Sequence, residues 1–190
     1  MDEKTAKERI LDTAEHLFAG EITTEAKAHL AAVNYHFGSN GGLVRAVLAR
    51  RAGPLNQERL RMLESFELGA GNMPIPLELI LHALFAPPIR VCLEHPNVMR
   101  PARRVLSGPD KGLRPVFLSQ FEEVFLRLKT ALRRALPELP ERGLLWRMHF
   151  LAGVMIHTYT NHMVLESLSN GLCVLPNDRE VVERLIHFCS

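Results

Sequence analysis

Apolar residues recur along this chain mostly with the period of an α-helix, and its many Leu, Ala, Arg and Glu residues favour helix. The pattern first predicts helices over residues 5–19, over 21–26 and in a stretch that begins at His29. The helices predicted after them cover residues 40–68 with Pro54 inside, 77–86 up to the break at Pro87 and Pro88, short pieces over 89–107, then 113–136, 140–169 and 178–190, the last capped by Asp178. The sequence therefore predicts an all-α fold of about nine helices.

The third predicted helix, in the stretch HLAAVNYHFGSNGGL, ends in a strongly polar turn. Asn34, Tyr35 and His36 place three hydrogen-bonding side chains there, after small apolar residues that would pack against neighbouring helices. Phe37 follows as a large apolar anchor, and Gly38 can adopt the left-handed conformation that often ends a helix. Together with the short helix before it, this stretch predicts a helix-turn-helix, whose second helix enters the major groove of DNA.

This stretch resembles the recognition helix and following turn of the TetR family of bacterial transcriptional repressors. The resemblance covers roughly residues 5–50, and within the family LAAVNYHFGS is most similar to the regulators of fatty-acid and acyl-CoA metabolism. The residues on the family's pattern are Tyr35, His36, Phe37, Gly38, Ser39 and Leu43. The resemblance implies a three-helix DNA-binding domain over residues 1–45 and a ligand-binding and dimerisation domain over residues 46–190.

The resemblance also implies which residues contact DNA. Tyr35 and His36 would contact phosphates, and the exposed face from His29 to Asn34 would meet base edges, where an asparagine can pair with adenine. The predicted DNA-binding residues are Thr23, Thr24, Lys27, His29, Leu30, Asn34, Tyr35, His36 and Asn40. Three features depart from the family: Gly20 joins Glu21 directly where a longer connection is usual, Lys27 replaces a common glycine, and Asn40 replaces a phosphate-binding lysine.

The charge of the chain makes local clustering of basic residues necessary for DNA binding. The formal net charge is only +2, which is too small for a protein coated in positive charge. The predicted DNA-binding domain, called the head below, contacts few phosphates when it is alone. We therefore expect a homodimer whose two heads lie about 34–36 Å apart. The apolar segment 144–156 and the apolar stripe of residues 181–189 predict that the dimer forms through the last two helices.

Several aromatic residues of the predicted ligand-binding domain can line a cavity for a small-molecule effector, although an ordinary helical core would use the same residue types. Arg103 lies in a group with Arg90, Arg100 and Arg104, which can bind an anionic head group or simply serve as surface charge. The predicted pocket residues are Leu81, Phe85, Arg103, Phe117, Phe121, Phe125, Trp146 and Phe150.

Other classes of protein find little support in the sequence. His149, His157 and His162 do not share one helical face as metal ligands at i and i+4 do, and no phosphate loop, nucleophile elbow or carboxylate pair occurs. We therefore expect no enzyme, no metal and no cofactor.

The three cysteines, Cys92, Cys173 and Cys189, have apolar neighbours and are expected to be reduced core residues. No signal peptide and no apolar run of about 18 residues is found, which predicts a cytoplasmic protein with no membrane span.

These observations predict a ligand-responsive repressor that binds a palindromic operator as a homodimer and is released by a small molecule, such as a fatty acid or acyl-CoA. The alternative is a helical small-molecule-binding or interaction protein without functional DNA binding. The direct junction of Gly20 with Glu21 favours this alternative if it shortens the head.

Overall fold

The computed structural model describes residues 5, 8, 11, 12, 40–94, 113–174 and 177–190. Within these residues the chain forms helices and no strand, as the sequence predicts. Six helices are described: α1 Asn40–Ala70, α2 Leu77–Glu94, α3 Leu113–Leu118, α4 Glu122–Ala135, α5 Glu141–Leu168 and α6 Asp178–Cys189. The predicted total of nine helices and the helix-turn-helix fall partly or wholly outside the described residues and stay predictions.

The chain forms two compact units. The first comprises Met1–Pro54 and Asn97–Glu122, and the second comprises Leu55–Pro96 and Glu123–Ser190. Helix α1 therefore begins in the first unit and continues into the second after Pro54. The domain division predicted near residue 45 stays a prediction.

Helix α2 lies at the centre of the second unit. It is apolar nearly all round, so two of its faces are buried in two different clusters. One face, with Ile80 and Ala83, packs in a cluster with Leu63 of α1, Leu144 of α5 and the buried stripe of α4. The other face packs against α6. This second cluster consists of Leu81, Phe85, Ile89, Val181, Val182 and Leu185, with Leu151, Val154 and Met155 of α5 partly buried against it.

The prediction that Pro87 and Pro88 end α2 is wrong, because the helix continues through both prolines to Glu94. A proline lacks the amide hydrogen that would bond to the carbonyl four residues earlier, which is residue 84 for Pro88. The Leu84 carbonyl instead accepts hydrogen bonds from the side chain of Arg59, at 3.1 Å from Nε and 3.0 Å from Nη2. A contact distant in sequence thus replaces the local bond.

The predicted helix over 113–136 is in fact two helices, α3 and α4, separated by a turn at residues 119–121. The amides of Gln120 and Phe121 bond to carbonyls three residues earlier, which closes tight turns instead of α-helical ones. The Ser119 hydroxyl also donates to the Val116 carbonyl at 2.9 Å. This break lies next to the boundary between the two units, which falls after Glu122.

Helix α5 begins where the sequence predicts, with Pro140 as its N-cap and Glu141 in the first turn. It is interrupted at Asn161, whose backbone dihedral angles of φ −130° and ψ 19° are not helical. Thr158 and Thr160 donate their hydroxyls to the carbonyls four residues earlier, a pattern that often bends helices. The side-chain Nδ2 of Asn161 then donates to the Thr160 hydroxyl at 2.8 Å. Polar side chains therefore accompany the kink in an otherwise apolar helix.

Helix α6 is capped by Asn177, so the prediction that Asp178 caps it is wrong by one residue. The Asn177 side chain accepts a hydrogen bond from the Glu180 amide at 3.0 Å. Asp178 is instead the first helical residue, where its charge suits the positive end of the helix dipole. None of the described helices combines the length and the apolar character that a membrane crossing requires.

Candidate functional site

The predicted DNA-binding residues lie outside the described residues, except for Asn40, which is the first residue of α1. Two contacts near them are described. Thr5 and Glu8 cap the predicted first helix reciprocally, with the Thr5 amide 2.8 Å from a Glu8 carboxylate oxygen. These hydrogen bonds from Thr5 lower the pKa of Glu8. Asp12 forms an ion pair with Arg50 of α1 at 2.7 Å, and both residues belong to the first unit.

The residues predicted to line an effector cavity are divided among different environments. Leu81 and Phe85 are fully buried in the packing of α2 against α6. Phe117 and Phe121 form an aromatic pair with ring centroids 4.9 Å apart in the first unit. Phe125, Trp146 and Phe150 are 43%, 53% and 59% exposed, and Arg103 lies outside the described residues. The effector site therefore stays a prediction.

An exposed aromatic face occupies the first half of α5. We define it as Leu145, Trp146, His149 and Phe150. The Trp146 ring stacks on Phe150 with centroids 5.7 Å apart and meets His149 edge-on at 5.8 Å. A shallow groove of about 630 Å³ runs beside this face, lined by Leu145, Trp146 and His149 together with Glu141 and Arg142. Because Leu144 on the opposite side of the helix is fully buried, the aromatic face is the one that α5 leaves open.

A second exposed apolar surface follows the kink at Asn161. We call residues 163–174 the distal apolar segment. Its large apolar residues are Met163, Val164, Leu165, Leu168, Leu172 and Val174, each more than half exposed. Phe188, near the end of α6, is 76% exposed as well. Clusters of exposed apolar residues on this scale typically mark an interaction surface.

Helix α6 presents charge on the face that it turns away from α2. Arg179 pairs with Glu183 at 2.9 Å and Arg184 with Glu180 at 2.7 Å, both at i,i+4 spacing on exposed side chains. Such exposed pairs contribute little to stability, but they keep this face polar. The apolar stripe of α6 is meanwhile used within the chain, because Val181, Val182 and Leu185 pack on α2. The exposed apolar surface of the last two helices is therefore mainly that of α5.

The three cysteines carry free thiols in different environments. Burial raises the pKa of Cys92 to about 12, against the opposing effect of the Arg59 charge, and burial also raises the pKa of the half-buried Cys189. Cys173 is exposed, so the prediction that all three are core residues is wrong for this one. Among the described residues no group of His, Cys, Asp and Glu is arranged to hold a metal ion.

These thiols should react with N-ethylmaleimide in the order Cys173, Cys189, Cys92. At neutral pH the raised pKa leaves Cys92 with on the order of a thousandfold less thiolate than an ordinary thiol, and the thiolate is the reactive form. Mass spectrometry of the labelled peptides over time measures each rate separately in the native chain. A Cys92 rate within tenfold of the Cys173 rate would contradict its burial.

A comparison with known families identifies the C-terminal part of the chain. Residues 82–190 match the model of the C-terminal domain of tetracyclin repressor-like proteins. The match begins inside α2 and continues through α6, and it does not include the motif at residues 29–43. No curated protein matches the chain significantly. Since the matched residues make up more than half of the chain, it belongs to the tetracyclin repressor-like (TetR) family.

Proposed function

We propose that the protein is a ligand-responsive transcriptional repressor, which binds a palindromic operator as a homodimer and releases it when a small molecule binds. The match over residues 82–190 to the C-terminal domain of tetracyclin repressor-like proteins carries this proposal, because that family consists of regulators. The helix that the sequence predicts at residues 29–36, with its polar last turn, would supply the DNA-binding element at the other end of the chain. Base contacts there would specify the sequence, and contacts to phosphates would fix the position on DNA.

The exposed surface of α5 supports the homodimer. Aromatic side chains such as Trp146 and Phe150 are enriched in the centres of protein interfaces, where they bury large apolar areas. A two-fold axis beside α5 would bring the aromatic face of one chain against that of its partner, which is the arrangement of an isologous dimer. The distal apolar segment would then extend the buried area.

Release requires that the effector bind more tightly to a dimer whose heads are wrongly spaced than to one that fits DNA. Helix α1 suits this role because it continues from the first unit into the second through Pro54. We expect effector binding to shift α1 and, with it, the DNA-binding domain that the sequence predicts before α1. The typical coupling between effector and DNA in such systems is about 5- to 150-fold in affinity.

The similarity of LAAVNYHFGS to regulators of fatty-acid metabolism supports a fatty acid or acyl-CoA as the effector. Selection from a random duplex library should first return an inverted repeat, with half-sites about one helical turn apart. Operator affinity should then fall by at least about fivefold when a long-chain acyl-CoA is added. Fluorescence anisotropy of the labelled operator measures this, with free coenzyme A as the matched control.

The two steps of this experiment test different claims. Failure to select any sequence would contradict the repressor itself. An operator whose affinity is unchanged by acyl-CoA and by free fatty acid would remove the fatty-acid effector while leaving the repressor in place. Release by free coenzyme A alone would assign recognition to the nucleotide part of the molecule and would contradict an acyl-chain pocket.

A further inference from the structure

Two consecutive prolines interrupt the hydrogen bonding of α2 at its middle. Pro87 and Pro88 provide no amide hydrogens, so the carbonyls of Ala83 and Leu84 lose their usual partners in the helix. Both prolines and Ala83 are buried and Leu84 is partly buried, and an unsatisfied carbonyl is costly where access to solvent is limited. The helix nevertheless continues to Glu94. Something outside α2 must therefore compensate for at least part of this loss.

Arg59 of α1 provides this compensation at one of the two carbonyls. Its side chain is only 3% exposed, and both Nε and Nη2 donate to the Leu84 carbonyl. Its Nη1 donates to Asn56 at 3.2 Å, and its Nη2 lies 3.4 Å from the sulfur of Met155 in α5. The guanidinium thus links α1, α2 and α5 at the position of the proline pair.

The neighbouring residue of α1 makes a second connection to α2. Glu58 forms an ion pair with Arg90 at 2.6 Å, just beyond the prolines. Arg59 and Glu58 therefore contact α2 on the two sides of its weakest point, residue 84 before the prolines and residue 90 after them. The chain leaves the second unit after Pro96, so these contacts hold the last helical turns before that exit.

We propose that Arg59 is a latch: it donates to the Leu84 carbonyl the hydrogen bonds that Pro88 cannot, and so keeps α2 in one piece. Without the latch, residues 88–94 open as a separate segment while the rest of the second unit stays folded. Local opening of this kind is expected where a helix lacks its own hydrogen bonds. Nothing in this inference depends on DNA or effector binding.

Cys92 lies in the segment that would open, so its reaction with N-ethylmaleimide reports the latch directly. The substitution Arg59→Met removes the donors and retains an unbranched side chain of similar length. We expect Cys92 to react about ten- to a hundredfold faster in this variant, while the rate of exposed Cys173 stays the same. Loss of the Arg59 charge would by itself raise the pKa of Cys92 and slow the reaction, so an acceleration cannot come from electrostatics.

Substitution of either proline gives two matched variants in which the effect of Arg59→Met can be compared. Pro88→Ala restores the amide that bonds to the Leu84 carbonyl, whereas Pro87→Ala restores the one that bonds to the Ala83 carbonyl, which Arg59 is not seen to contact. Arg59→Met should therefore accelerate labelling of Cys92 much less with Pro88→Ala than with Pro87→Ala. Equal acceleration in both backgrounds, or none in the native background, would overturn the proposal.

If Arg59→Met fails to fold, Pro88→Ala and Pro87→Ala still test whether Arg59 acts through the Leu84 carbonyl. Circular dichroism would then show recovery of helix in the double variant with Pro88→Ala and not in the one with Pro87→Ala. Recovery with neither proline replacement would show that Arg59 acts by packing or charge and would overturn the latch.

Discussion

A chain carrying Trp146→Glu and Phe150→Glu should be a monomer under conditions in which the native chain is a dimer. These two rings are stacked and more than half exposed, and they form the centre of the aromatic face. Carboxylates at both positions of both chains would be buried against each other without partners, which is strongly unfavourable. We expect the dissociation constant of the dimer to rise more than about a hundredfold. Sedimentation velocity over a range of concentrations measures the change.

Leu126→Glu is the matched control for this substitution. Leu126 lies on α4 and is 54% exposed, close to the 53% of Trp146, but it is outside the last two helices. It should leave the dimer intact. The double variant should keep its helix content and melting behaviour as a monomer, because the buried residues of α5 are on the other side. A double variant that still forms dimers as tightly as the native chain would contradict dimerisation through this face.

Loss of the dimer should also remove operator binding, because a single head contacts too few phosphates to hold a specific site. The fraction of operator bound by the double variant should therefore rise only at much higher protein concentration, and more steeply with concentration, than the fraction bound by the native chain. Tight operator binding by the monomer would contradict the paired-head arrangement. The Leu126→Glu chain again serves as the reference.

The sequence was sufficient where one element's own pattern decides its structure. The segment from Leu77 is apolar nearly all round, and α2 is indeed buried on two faces. The sequence is insufficient where a residue distant in the chain determines whether a helix continues. The prolines of α2 predict a break by local rules, but Arg59, far away along the chain, donates to the Leu84 carbonyl the hydrogen bond that Pro88 cannot provide. The turn at residues 119–121 was missed because Phe117, Phe121 and Val124 fit one uninterrupted helical stripe.

Periodicity also cannot distinguish a core from an interface. Phe85 and Phe150 both occupy apolar positions of apolar helices, yet one is fully buried and the other is 59% exposed. The same hydrophobic residue types serve both environments, so residue type alone does not tell which of the predicted pocket residues are buried. Only the packing of α5 within the second unit shows which of its apolar residues stay exposed.

Replacing Tyr35 and His36 with alanine should weaken DNA binding on every sequence. The family resemblance assigns phosphate contacts to both side chains, and phosphate contacts carry no sequence information. A dimer loses four such contacts, and at about 1 kcal/mol for each hydrogen bond the affinity should fall by a factor on the order of a thousand. Titrations of operator and of unrelated duplex at several salt concentrations measure both effects. Where a charged imidazole contacts a phosphate, loss of that contact would also reduce the salt dependence of binding.

Asn34→Ala distinguishes a helix that contacts bases from one that contacts only phosphates. Asparagine can bond to both N6 and N7 of adenine, so its loss should weaken operator binding by about 1–3 kcal/mol for each half-site. Binding to unrelated duplex should stay unchanged, because Asn34 would contact bases and not phosphates. If neither variant changes binding, or if the native chain binds no duplex specifically, the head does not read DNA. The chain would then be a helical ligand-binding or interaction protein of the same family, as the direct junction of Gly20 with Glu21 would favour.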